Sequence, residues 1–153
     1  MRFVVLFLLS LTACTPDQTS MDTDVWMKFE SADPVEQTMD RLEEAIRSQG
    51  LTVFTRIDHA ANAASAGLEL APNQVLIFGN PKAGTQLMNV DPDVGLDLPM
   101  RALVRAGESG GSVIVMHDPA AVATRYGIRT LDALLGKMRS TLRGLAKAAA
   151  ESA

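Results

Sequence analysis

The sequence has few of the residues that build disulfides, metal centres and nucleic-acid surfaces. Its 153 residues include one cysteine and two histidines, and 5% are aromatic. One cysteine excludes a disulfide within the chain and a metal site made of several cysteines. Acidic residues outnumber Lys and Arg, 18 to 14, so the basic footprint of a nucleic-acid-binding protein is absent and no such partner is expected. The length suits one domain, and 47% apolar residues are too many for a disordered chain.

The start of the chain has the pattern of a secretory signal peptide. Its apolar run, Phe3–Leu9, follows a basic residue and is far shorter than the roughly 20 residues of a membrane-spanning helix. The single cysteine, Cys14, comes directly after Leu11-Thr12-Ala13, a string that resembles a bacterial lipobox. We therefore predict that residues 1–13 are removed and that Cys14 is lipidated. Two or more acyl chains would hold the protein at a membrane, whereas one chain would bind only marginally.

This anchor predicts a lipoprotein of the bacterial cell envelope that faces the periplasm. Thr15, rather than an Asp, follows the cysteine, which by analogy with bacterial sorting signals favours the outer membrane over the inner one. The polar segment 14–24 is predicted to be a lipidated tether. A single folded domain is predicted over residues 25–150.

Strands and helices alternate in that domain. Alternating polarity predicts strands at 25–31 and 51–57, an unbroken apolar run predicts an interior strand at 74–78, and segments 98–105 and 112–117 flank a glycine-rich turn as a hairpin. Helices are predicted at 34–49, 59–66, 82–89, 119–126 and 130–149, with Asp33 and Thr130 capping the first and the last. This order predicts a two-layer α+β sandwich, a mostly antiparallel sheet with helices on one face. The other face would then need a cover, from a partner subunit or a ligand.

Three strings carry a resemblance to a known family. They are TVFTRIDHAANA at 52–63, IFGNPKAGT at 77–85 and GLDLP at 95–99. In order and spacing they resemble the domain-of-unknown-function family 302, over about residues 35–145. The resemblance implies a compact α+β domain like the TATA-binding-protein superfold, often paired as a homodimer. It implies no activity, because none is established for the family.

Asp58 and His59 stand where a strand gives way to a helix. An imidazole there could bind a ligand, or act as a general acid or base near neutral pH. Alternatively, Asp58 caps the helix while His59 packs or bonds a backbone carbonyl. Neighbouring strand residues point to opposite faces, so Asp58 orients His59 only if the chain turns between them.

The turn Gly79–Thr85 resembles a phosphate-binding loop but lacks the Lys that should follow its second glycine, so nucleotide hydrolysis is rejected. Helix amides together with a Lys could still hold a carboxylate, phosphate or sulfate. The ligand-binding candidates in this turn are Asn80, Lys82, Gly84 and Thr85. The alternative is a turn whose glycines and proline serve backbone geometry alone.

No cofactor and no metal are expected. His59, His117 and Asp118 lie at strand ends, but no H-x-x-x-H spacing supports a zinc site. We predict a non-catalytic envelope lipoprotein with a small ligand-binding or interaction domain, for which an anionic small molecule is the candidate ligand. The alternative is an envelope enzyme that uses His59 as acid or base, while Lys82 and the Gly79–Thr85 turn hold an anionic group.

Overall fold

The computed structural model describes residues 25–108 and 110–151, so the predicted signal peptide, Cys14 and the tether lie outside the described residues. The strands are β1 (Trp26–Ser31), β2 (Thr52–Asp58), β3 (Asn73–Gly79), β4 (Met100–Ala106) and β5 (Ser112–His117). The helices are α1 (Val35–Ser48), α2 (His59–Ser65), α3 (Pro81–Met88), α4 (Pro119–Arg125) and α5 (Asp132–Ala150), with a 3₁₀ helix at Pro92–Asp97. The strands form one antiparallel sheet in the order β1-β5-β4-β3-β2.

One face of this sheet packs against α1 and α5. On α1, Met39, Leu42 and Ile46 recur at helical spacing and are fully buried. They meet alternate residues of the strands and the apolar side of α5: Leu76, Phe78, Ala102, Val104, Ile114, Met116, Leu142, Leu145 and Ala146. Burying each large apolar side chain stabilises the fold by about 1.5–3 kcal/mol. The predicted α+β class, an antiparallel sheet with helices on one face, is confirmed.

A second, smaller core lies where α3, the 3₁₀ helix, α4 and the start of α5 meet. Its buried members are Leu87, Val94, Val122, Ala123, Ile128 and Leu135. This packing holds the 3₁₀ helix against α4 next to the sheet. The side chains of Asp97, Arg125 and Tyr126 are thereby brought to one place.

A chain of buried hydroxyl groups links β1, α1 and β5. Ser112 Oγ donates to Thr38 Oγ1 at 2.9 Å, and Thr38 Oγ1 donates to Ser31 Oγ at 3.0 Å. Beside it, a Cβ added at Gly111 would lie 2.2 Å from the Ser31 carbonyl oxygen. Glycine is therefore required at position 111 for β1 to approach β5.

Two predicted helix caps are wrong. The N-cap of α1 is Pro34 without a side-chain cap bond, and the Asp33 carboxylate instead accepts a hydrogen bond from Arg41 at 2.7 Å. The N-cap of α5 is Leu131 rather than Thr130, in a left-handed conformation with φ of 71°. Leu131 packs against the second core, so apolar packing sets where this helix starts.

Among residues 25–108 and 110–151, no helix has both the length and the apolar character needed to cross a membrane.

Candidate functional site

The predicted site residues lie at opposite ends of the β2–β3 pair. The strand register places Asp58 opposite Gln74 and Thr52 opposite Gly79. Gln74 and Gly79 are five residues apart on β3, about 17 Å at the usual rise of a strand. Because His59 follows Asp58 and Lys82 follows Gly79, the structure does not bring these two side chains together within one chain. The active site of the enzyme hypothesis, in which both side chains hold one substrate, is therefore not formed within one chain.

Asp58 has the capping role that was the alternative to ligand binding. Its Oδ1 accepts from the Ala61 amide at 2.8 Å, and its Oδ2 accepts from Gln74 Nε2 at 3.1 Å. These bonds, the one from Ala61 first, lower the pKa of Asp58 below its ordinary value. His59 is exposed as the first residue of α2, and ligand binding by it stays a prediction.

The turn before α3 is likewise capped by its own side chain. Asn80 Oδ1 accepts from the Lys82 amide at 2.9 Å. Lys82 and Thr85 are exposed, and Gly84 is half-buried; a Cβ added at Gly84 would lie 3.7 Å from the Leu98 side chain. Asn80 thus occupies one of the helix amides expected to hold an anion, and anion binding by this turn stays a prediction.

The sequence did not reveal a group of polar side chains around Arg56, here called the Arg56 cluster: Glu36, Asp40, Glu43, Arg56 and Gln74. Arg56 donates to Glu36 Oε1 at 2.9 Å, to Asp40 Oδ1 at 2.5 Å and to the buried Gln74 Oε1 at 2.7 and 3.0 Å. Burial alone would lower the pKa of Arg56, but the bond to Asp40 and the charges of Glu36, Asp40 and Glu43 together raise it. All three guanidinium nitrogens are engaged, so this cluster ties α1 to the sheet.

A second group, here called the Asp97 cluster, lies near the start of β4 and was also missed. It consists of Trp26, Asp97, Arg101, His117, Arg125 and Tyr126. Asp97 Oδ1 accepts from Arg101 Nη2 at 3.3 Å, while Oδ2 accepts from Arg125 Nη1 at 2.9 Å and from Tyr126 Oη at 3.0 Å. The Asp97 side chain is 12% exposed, but those of Arg101 and Arg125 are 46% and 53% exposed. One recessed carboxylate therefore holds two exposed guanidinium groups.

An aromatic pair completes the Asp97 cluster. Trp26 and His117 are paired across β1 and β5, with ring centroids 4.2 Å apart in an edge-on arrangement. The pairing of Ala102 with Met116 places Arg101 beside His117 on the next strand. Burial, and then the charges of Arg101 and Arg125, lower the pKa of His117, which favours the neutral imidazole at pH 7.

The strand residues of the Asp97 cluster form one end of the sheet face opposite α1 and α5, here called the outer face; they are Trp26, Arg101 and His117. Beyond this end, strands β2 to β5 carry half-buried apolar side chains on the outer face: Ile57, Val75, Ile77, Leu103, Val113 and Val115. Charged side chains, Lys28, Glu30 and Arg105, border them. Within the described part of the chain, none of these six belongs to either core. The outer face is thus apolar at its centre and cationic and aromatic at the Asp97 cluster.

Comparison with known proteins identifies the family. The family model described as Domain of unknown function DUF302 matches residues 27–149. A crystal structure of an uncharacterized conserved DUF302 protein from Bacillus stearothermophilus has the same fold, with a TM-score of 0.75 and 19% identity, covering 82% of this chain and 98% of that one. The chain belongs to the DUF302 family, and the family resemblance drawn from the sequence is confirmed.

Two longer relatives carry a functional name. They are the proteins called Fluoride-specific ion channel FluC 1 in Brucella suis biovar 1 and in Brucella abortus biovar 1. Each is 41% identical to this chain over 113 residues, which is 74% of this chain but 44% and 42% of the respective relative. The chain thus spans less than half the length of these relatives.

Proposed function

We propose that this protein is a lipoprotein of the bacterial envelope, anchored through Cys14 and facing the periplasm, whose DUF302 domain is a non-catalytic binding and interaction module. The observation that carries the proposal is the position of the single cysteine, which directly follows Leu11-Thr12-Ala13 and a seven-residue apolar run. The absence of Asp after this cysteine favours the outer membrane.

The arrangement of polar groups supports binding over catalysis. The candidate acid–base residue His59 and the candidate anion holder Lys82 lie at opposite ends of a strand pair. The Asp97 cluster instead gathers two exposed arginines and a tryptophan, residue types that commonly dominate recognition surfaces. An anionic small molecule is therefore the ligand class that we propose for the domain.

A second copy of the chain is the partner that we propose for the centre of the outer face. Five strands about 4.8 Å apart make the outer face about 24 Å wide, and the Asp97 cluster lies at one end of it, outside the apolar centre. Its apolar centre with a charged rim has the composition expected of a protein interface. The homodimers implied by the family resemblance agree with this use of the face.

The names of the Brucella relatives support a position at a membrane. A segment similar to this domain forms part of longer proteins that are named as fluoride-specific ion channels. We propose that the present chain supplies such a module as a separate, lipid-anchored protein. Because those relatives are named for fluoride, fluoride belongs among the anions tested for binding.

The anchor is tested by growing cells that express the full chain with an alkyne-bearing fatty acid. The proposal predicts label on the wild-type protein, none on Cys14→Ser, and co-sedimentation of the labelled protein with outer-membrane fractions. An unlabelled wild-type protein in the soluble periplasmic fraction would overturn the proposal. Label in the inner membrane would overturn only the choice of membrane.

The dimer is tested by sedimentation velocity of the purified full chain. Leu103→Glu places a charge at the centre of the outer face and is expected to convert a dimer to a monomer. Val90→Glu is the matched control, because Val90 is 50% exposed and lies on the turn between α3 and the 3₁₀ helix. A wild-type monomer, or a dimer equally sensitive to both changes, would contradict this part of the proposal.

A further inference from the structure

We infer that the Asp97 cluster is a binding site for a dissolved organic oxyanion, a carboxylate or phosphate group carried on a flat apolar body that packs against Trp26. The inference rests on the proposed binding role of the domain and gives that role a place and a ligand class. Its charged residues, Asp97, Arg101 and Arg125, are not among the candidate site residues drawn from the sequence.

The charges of the Asp97 cluster do not balance. Arg101 and Arg125 bring two positive charges, and both oxygens of Asp97 are already engaged by them and by Tyr126. Among the described residues, neither arginine has a second carboxylate within ion-pair distance. An anion arriving beside the two guanidinium groups would therefore meet positive charge that Asp97 balances only in part; the next carboxylate, Asp93, acts on Tyr126 and forms no ion pair with either arginine.

Hydrogen-bond donors remain available at the same place. A guanidinium carries five N–H donors, and Arg101 and Arg125 each spend one contact on Asp97. Their ion pairs with the recessed Asp97 hold both side chains in position, while about half of each side chain stays accessible to solvent. A planar fork of this kind matches the oxygen pair of a carboxylate or phosphate.

The aromatic pair of Trp26 and His117 is the surface against which the apolar body of the ligand would pack. Trp26 is 48% exposed although it is the largest apolar side chain of the sheet, and its ring contacts His117 beside Arg101. An exposed tryptophan next to cationic groups offers a flat surface on which an aromatic or planar ligand can pack. The bound negative charge would also favour protonation of His117, which would then supply a further donor.

Fluorescence of Trp26 provides a direct test, because it is the only tryptophan in the chain. The purified full chain is titrated with benzoate, with acetate and with benzyl alcohol. We expect saturable binding of benzoate, binding of acetate weaker by about tenfold since it lacks the ring, and no saturation with the uncharged alcohol. Inorganic phosphate should compete with benzoate.

Charge-removing variants locate the site. Arg101→Gln and Arg125→Gln are each expected to weaken benzoate binding by about tenfold, the loss of one charged hydrogen bond. Arg105→Gln is the matched control, because Arg105 lies on the same strand and the same face, about 13 Å from Arg101. It removes the same charge and is expected to change affinity by less than about twofold. If circular dichroism shows that a Gln variant is unfolded, Arg125→Lys replaces it. Lysine keeps the positive charge but lacks the planar guanidinium, so this variant should bind benzoate several-fold more weakly than the wild type.

Three outcomes would overturn the inference. If no anion binds, the inference fails together with the anion-binding part of the proposed function. If benzoate binds equally well to Arg101→Gln and Arg125→Gln but not to Lys82→Gln, the domain binds anions at the α3 turn and only this site is wrong. If Arg105→Gln weakens binding as much as Arg101→Gln does, the attraction is a general effect of net charge and not a site.

Discussion

The Arg56 cluster and the Asp97 cluster both depend on arginine–carboxylate contacts, but in inverted proportion. In the first, one arginine faces three carboxylates and the buried amide of Gln74, and each of its nitrogens is used. In the second, one carboxylate faces two arginines, and both keep donors to spare. The first cluster therefore holds the fold together, whereas the second holds two cations at the surface.

The position of each central residue accounts for this difference. Arg56 lies on the helix side of β2, where α1 supplies Glu36, Asp40 and Glu43 from successive turns. Asp97 lies at the end of the 3₁₀ helix, where the sheet and α4 each supply one arginine from the solvent side. Changing one residue at a time separates the roles of the two clusters.

Removing the central arginine should have the largest effect. Arg56→Met is expected to lower the free energy of unfolding by about 2 kcal/mol, because the Gln74 side-chain oxygen loses its hydrogen-bond donor and three acids are left facing one another. The loss is smaller than for a fully buried ion pair because these acids are partly exposed to water. Urea unfolding measures it. Arg47→Met is the control, since that side chain is 58% exposed and should change stability by less than about 0.5 kcal/mol. Equal effects of the two changes would show that the Arg56 cluster does not hold the fold.

Removing the central carboxylate of the other cluster should cost less. Asp97→Asn is expected to lower the free energy of unfolding by about 1–2 kcal/mol, because three hydrogen bonds to a charge become bonds to a neutral amide or are lost. It should also lower the pKa of His117 further, since the charge of Asp97 raises that pKa. NMR titration of the imidazole checks this second effect, and an increase in the His117 pKa would contradict the arrangement.

The pH dependence of stability gives a smaller signal. The folded chain lowers the pKa of His117 below its ordinary value of 6.5, so the unfolded chain takes up this proton first as the pH falls. The contribution of His117 to the free energy of unfolding is fully present above about pH 6.5, and it is lost as the pH falls through the pKa of the folded state. Urea unfolding at pH 7.5 and pH 5 should show a smaller loss for His117→Gln than for the wild type. An identical loss in both proteins would rule out a depressed pKa at His117.

The smallest effect is expected at the predicted pair Asp58 and His59. Asp58→Ala removes the acceptor for the Ala61 amide, so hydrogen exchange at the start of α2 should become faster. Since the pKa of Asp58 is lowered in the fold, this protection is present above about pH 4 and lost as the pH falls through the folded value. His59→Ala should leave exchange unchanged. Faster exchange in His59→Ala alone would mean that the imidazole, rather than Asp58, caps the helix.

The sequence predicted the elements of the fold because their signals are local. Apolar spacing located α1 through Met39, Leu42 and Ile46. Alternation, one unbroken apolar run and one glycine-rich turn located the five strands to within two residues. The caps at Asp33 and Thr130 were wrong because the ion pair of Asp33 with Arg41 and the packing of Leu131 on the second core outweighed the preference for a side-chain cap. Local signals thus predicted the secondary structure better than the points where it starts.

The candidate sites were harder to predict because their partners are distant along the chain. Asp97 and Arg125 are 28 residues apart, and nothing in their spacing shows that α4 packs against the 3₁₀ helix. Asp97 and Arg101 at positions i and i+4 were a usable local signal, but it is one that many exposed pairs share. His59 and Lys82 were interpreted as candidate site residues because each follows a strand. Antiparallel pairing places these two strand ends at opposite ends of the β2–β3 pair.

The two histidines of the chain lie in the two regions to be compared, His117 in the Asp97 cluster and His59 at the start of α2. NMR titration of both imidazoles, with and without saturating benzoate, compares the Asp97 cluster with the predicted site at α2 in a single sample. We predict that benzoate raises the pKa of His117, because the bound negative charge favours its protonated form, and that it leaves the NMR signals of the His59 imidazole in place. An unmoved His117, or equal shifts at both histidines, would contradict the account.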